Sequence, residues 1–86
     1  MNNNHISPEN SVKVEIYDPD GQCAATWQGS GFNNLMEAVT AAYEGSNPLN
    51  MPAEDYVYRV TDLDRDTSAR YRIDAGGRLH ILPEER

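Results

Sequence analysis

Residues 12–17 read VKVEIY and alternate strictly, with Val12, Val14 and Ile16 on one side and Lys13, Glu15 and Tyr17 on the other. A period of two is the signature of a strand with one face buried. DPDG follows at 18–21, where Pro19 presets φ and Gly21 accepts a positive φ. The next segment, QCAATW, sets Cys23, Ala25 and Trp27 in phase. The two runs and the turn between them specify a β-hairpin, and GSG at 29–31 is expected to end it. In this reading Cys23 is a small core residue.

The period then changes. In FNNLMEAVTAAYEG, Phe32, Leu35, Val39, Ala42 and Tyr43 recur at three- and four-residue intervals, an apolar helical stripe. Asn34 and Glu37 stand in capping-box relation, with Ser30 and Asn33 as alternative caps, and Gly45 is placed to end the helix. SNPLNMPAED has two prolines and no period and reads as a loop. Alternation returns in YVYRVT (56–61), ARYRI (69–73) and RLHIL (78–82), joined by DLDRDTS and by the hairpin turn Asp74-Ala75-Gly76-Gly77.

The order β-β-α-β-β-β predicts an α+β fold: an antiparallel sheet of about five strands with one helix packed across one face. Residues 11–83 form the domain, 1–10 a disordered arm and 84–86 a tail. The expected core is Val12, Val14, Ile16, Ala25, Trp27, Leu35, Val39, Tyr43, Val60, Tyr71, Ile73, Leu79 and Ile81. Lys13, Glu15, Tyr17, Arg59, Arg70, Arg72 and His80 are expected on the wet face, although an alternative assignment would bury Val57 in place of the tyrosines of the third strand. A chain of 86 residues buries only about 60 % of its unfolded surface, so that core is small. One cysteine precludes an internal disulfide, and neither a signal peptide nor an apolar run of membrane-spanning length stands out, which predicts a soluble cytoplasmic protein.

Asp62, Asp64 and Asp66 occupy the first, third and fifth places of a calcium loop. The pattern fails at the sixth place, Thr67 instead of Gly, and at the twelfth, Ile73 instead of Glu. These aspartates therefore read as turn residues whose carboxylates bond nearby backbone amides. His5 and His80 are the two imidazoles and lie far apart in sequence, so no metal-ligand cluster is expected. GSG and AGG lack the length and the lysine of a phosphate loop. No nucleophile stands beside a base, and the chain reads as a non-enzyme without metal or cofactor.

Charge supplies the functional expectation. The net charge is −7, and all of it lies in residues 1–58, where Glu9, Glu15, Asp18, Asp20, Glu37, Glu44, Glu54 and Asp55 face one base, Lys13. Residues 59–86 carry six acids and six arginines. The acidic part suits a protein partner with a basic surface, with Glu15, Asp18, Asp20, Glu37, Glu44, Glu54 and Asp55 as candidate contacts. The balanced part offers a different surface. Tyr58, Arg59, Arg70 and Arg72 form an arginine–aromatic stripe of the kind that grips single-stranded nucleic acid, or that dominates protein contacts. Cross-strand pairing of those arginines with Asp and Glu is the alternative. Direct nucleic-acid binding ranks below a protein partner, and a structural homodimer through exposed strand edges is a further reading.

Small acidic domains that mimic nucleic acid are similar to this chain in size, acidity and simple α+β design. So are other small inhibitors that phages and plasmids carry against host defence, anti-CRISPR proteins among them. The similarity is one of class and implies an inhibitor that occludes a basic nucleic-acid-binding surface. No motif ties the chain to one family, so no family site is carried over.

Overall fold

The computed structural model describes residues 9–46 and 49–83. His5, most of the expected arm and the 84–86 tail lie outside the described residues. The elements in chain order are β1 (Ser11–Tyr17), β2 (Cys23–Ser30), α1 (Leu35–Gly45), a single 3-10 turn (Ala53–Asp55), β3 (Val57–Asp62), β4 (Thr67–Ile73) and β5 (Leu79–Leu82). The strands form one antiparallel sheet in the order β2-β1-β3-β4-β5, and α1 packs on one face of it, against β2, β1 and β3. The fold is α+β, as the element order predicts.

The core follows from period two meeting period 3.6. Val12, Val14 and Ile16 of β1 are fully buried, and Leu35, Ala38, Val39 and Ala42 of α1 lie against the same cluster. Asn34 caps α1: its Oδ1 accepts from the Glu37 amide at 2.9 Å, while Glu37 Oε1 accepts from the Asn33 amide. Such a cap stabilises a helix by about 1 kcal/mol.

Tyr56 and Tyr58 are buried and Val57 lies on the opposite face, so the alternative assignment of the third strand does not occur. The tyrosine hydroxyls fasten the loop that precedes β3. Tyr58 donates to the Ala53 carbonyl at 2.8 Å, Tyr43 donates to the Met51 carbonyl at 2.7 Å, and Tyr56 accepts from the Met51 amide. Burial without a charged partner pushes the Tyr58 phenol far above its usual range, with the nearby Tyr43, Tyr56 and Glu54 adding to the effect.

Several expectations need correction. β2 does not stop before GSG but runs through Gly29 to Ser30, pairing with Val12 and Ser11. Gly29 belongs in the strand because the Trp27 indole lies over it: a Cβ there would fall 2.4 Å from the ring. Gly45 ends α1, but Ser46 is the C-cap, and a Cβ on Gly45 would come within 2.9 Å of the same indole. Cys23 is exposed. An irregularity in the β1–β2 register aligns Tyr17 with Cys23 after Ile16 with Ala25, which skips Ala24 and moves the thiol to the face of Tyr17. Ile81 is 55 % exposed: β5 is the edge strand, and α1 packs mainly over β2, β1 and β3. Asn10, expected at the end of the arm, donates from Nδ2 to the Asp62 carboxylate at 3.0 Å.

Candidate functional site

The aspartate triplet folds as a turn. Asp62 Oδ1 accepts from the amides of Asp64 and Arg65, Asp64 Oδ2 accepts from the Ser11 amide at 2.7 Å, and Asp66 takes the left-handed conformation at φ 57. The Asp62 and Asp64 carboxylates thus turn to separate backbone donors. The other two hairpins repeat the device. Asp18 Oδ1 accepts from the amides of Asp20 and Gln22, and Asp74 Oδ1 from those of Gly76 and Arg78. Gly21 and Gly77 hold the positive φ in each. Among the described residues no group of three His, Cys, Asp or Glu side chains converges in a way that could hold a metal ion.

His80 is exposed on β5, its Nε2 2.7 Å from Asp74 Oδ2. That hydrogen bond, helped by the Arg78 amide, holds the Asp74 carboxyl below the usual carboxylate range. The thiol of Cys23 lies near the Ala25 carbonyl and the Thr26 hydroxyl.

The seven candidate acids fall into three groups. Glu15 lies on the sheet face away from α1, 3.9 Å from Lys13. Asp18 and Asp20 form the β1–β2 turn, and Glu54 and Asp55 the 3-10 turn. Because Tyr17 pairs with Val57, both turns leave the sheet at the same end. Glu37 and Glu44, both exposed, stand two helical turns apart on the outer side of α1. Between them lies a shallow hollow of about 550 Å³ whose wall includes Phe32, Met36, Thr40 and Ala41. An apolar centre inside a charged rim is how protein interfaces are commonly built.

The second candidate surface lies on the uncovered sheet face. Arg59 of β3 stands directly opposite Arg70 of β4, and Arg72 follows two residues on. With Tyr17, Pro19 and Val57 they line a cleft of about 400 Å³. Arg59 donates to the Ser68 hydroxyl at 3.3 Å and Arg70 to the Pro83 carbonyl at 2.8 Å. The expected pairing of these arginines with carboxylates does not appear: among the described residues the ion pairs are Lys13–Glu15, Arg65–Asp62 and His80–Asp74. Tyr58, expected beside Arg59, is instead fully buried, since adjacent strand residues point to opposite faces. Tyr17 supplies the aromatic ring at this cleft. Its phenol is raised above its usual value by desolvation, then by Glu15 and Cys23, with Arg59 opposing.

The signal for this cluster was in the sequence but needed the register. Arg59 and Arg70 become neighbours only once the turn between Asp62 and Thr67 fixes which residues pair. No helix among the described residues is long and apolar enough to cross a membrane. No family model, curated protein or solved structure matches this chain.

Proposed function

We propose that this chain is a non-catalytic binding protein that acts by covering a basic surface on a protein partner. The observation that carries the reading is the hollow on α1, lined by the apolar Phe32, Met36 and Ala41 together with the acids Glu37 and Glu44. The apolar centre would supply affinity, and the acids would meet Lys or Arg of the partner and steer its approach. A net charge of −7 favours the same kind of partner over a phosphate-bearing one at this face. Surfaces that hold nucleic acid are basic, so the most specific form of the proposal is an inhibitor that occludes such a surface, of the kind mobile elements carry. Its mechanism is steric and electrostatic, without turnover.

The test is affinity capture from host lysate with tagged protein, at low and high salt and with nuclease-treated lysate in parallel, followed by binding of the purified captured protein. The reading expects one stoichiometric partner that survives nuclease, weakens steeply with salt and is lost with the pair Glu37→Lys and Glu44→Lys. A partner bound equally by that double variant, or binding indifferent to salt, would overturn it.

A further inference from the structure

We infer that the uncovered sheet face carries a second site, one that holds the backbone of a single-stranded nucleic acid across Arg59, Arg70 and Arg72. This goes beyond the proposed docking of α1 and uses the opposite side of the sheet.

The first ground is the cost of the arrangement. Arg59 and Arg70 are directly opposed on neighbouring antiparallel strands. Like charges in that position repel and destabilise the sheet. Glu15 stands opposite Arg59 on its other side yet forms its ion pair with Lys13. Arg72 is flanked across the ladders by Val57 and His80. Three guanidinium groups thus share one face with no carboxylate bonded to them among the described residues. Such a group of cations lowers its energy by taking up an anion from outside, and a planar guanidinium matches phosphate oxygens in bidentate fashion.

The second ground is shape. The arginines wall a cleft of about 400 Å³, the size class of a small-ligand pocket, and Tyr17, Pro19, Gly21 and Val57 form part of the rest of its wall. An aromatic ring and an aliphatic surface beside cations suit a base and its phosphate together: the base stacks or packs, and the phosphate pairs. Asp18 also lines the cleft, but its Oδ1 is engaged by the amides of Asp20 and Gln22. A flat sheet face admits an unpaired strand, whose bases can splay out, more readily than the curved outside of a duplex.

The experiment is fluorescence anisotropy of the full chain with a labelled oligothymidylate, across a range of salt. Duplex of equal length, inorganic phosphate and polyglutamate serve as competitors. Wild type is expected to bind saturably at low salt, with log K falling against log salt at a slope of about −2, the value for three phosphate contacts on a single strand. Arg72→Ala is expected to weaken binding and reduce the slope by about 0.7. Tyr17→Ala is expected to weaken it by about tenfold with the slope unchanged. Arg65→Ala, at the far end of the sheet, is expected to leave affinity unchanged. Thermal melting separates binding from folding: Arg72→Ala is expected to melt no lower than wild type. Absence of saturable binding at low salt, an unchanged slope in Arg72→Ala, or equal competition by polyglutamate would overturn the proposal.

Discussion

Under α1, the strands β2, β1 and β3 form a closed sandwich of sheet and helix; next to it the 3-10 turn contacts β4, whose Tyr71 and Ile73 are still buried, and only β5, the edge strand, leaves its apolar side open. Ile16 and Ile81 illustrate the difference. Both sit in alternating strands, and both point to the side of the sheet that bears the helix. Ile16 is fully buried and Ile81 is 55 % exposed. Alternation therefore says which side of a strand is apolar, while burial depends on what lies across from it. The charges divide differently: all the acids of residues 1–58 except Glu9 lie on the β1–β2 hairpin, α1 and the 3-10 turn, whereas the arginines of β3, β4 and their turns stand among Asp62, Asp64, Asp66 and Asp74.

The sharpest test of this contrast is a matched pair of truncations. Ile16→Ala should cost about 2–5 kcal/mol, the range for large-to-small changes in a packed core. Ile81→Ala should stay within about 0.5 kcal/mol, as surface changes do. Urea midpoints at constant slope would measure both, and equal losses would break the distinction between the covered core and the β5 edge.

A middle-sized effect is expected at Gly29. An added methyl would strike the Trp27 ring, which also packs against Phe32 at a centroid distance of 5.4 Å. Gly29→Ala should therefore destabilise by about 1–3 kcal/mol, as overpacking does, against the usual gain from replacing a strand glycine. Tryptophan emission should shift to the red as the indole lifts. A gain in stability would place the ring elsewhere.

The smallest effect belongs to the β4–β5 hairpin at the sheet edge. The Asp74 carboxyl is held below its ordinary value by His80 and by backbone amides. A depressed folded-state pKa stabilises the fold above the unfolded value, and that contribution is lost as pH falls through the folded one. An NMR titration should place the Asp74 midpoint below that of an ordinary aspartate, and His80→Ala should move it upward. An unmoved midpoint would assign the depression to the turn amides alone.

Much of the fold was legible because its signals are local. Period two, period 3.6, the Asn34 cap and the aspartate turns each act within a few residues, and each appears in the structure, although α1 begins at Leu35 and leaves Phe32, the first residue of the expected stripe, ahead of it. What was not legible depends on contacts across the sheet. The phase of Cys23 required the register slip after Ile16, and the strand character of Gly29 required the position of an indole. The face assignment put Tyr58 inside while the arginine–aromatic stripe counted it as accessible; the strand phase decides for burial, and its polar tip is satisfied by the Ala53 carbonyl. The arginine cluster was visible as residue types, but its unpaired state came from the way the carboxylates were already used. Asp62, Asp18 and Asp74 serve their own turns, and Glu15 pairs with Lys13.

The strand order has a consequence for how the chain is assembled. β1–β2 and β3–β4–β5 each join neighbours in sequence, so both can form by short-range zipping. The ladder between β1 and β3 is the exception: Asn10 and Asp62, which close it at one end, are 52 positions apart. Loop-closure entropy falls on that ladder far more than on the others. The molecule is thus two local units stitched along one seam, where Val14 meets Val60 beneath the helix and Glu15 meets Arg59 above. Acidic and basic surfaces come together only when that seam is closed.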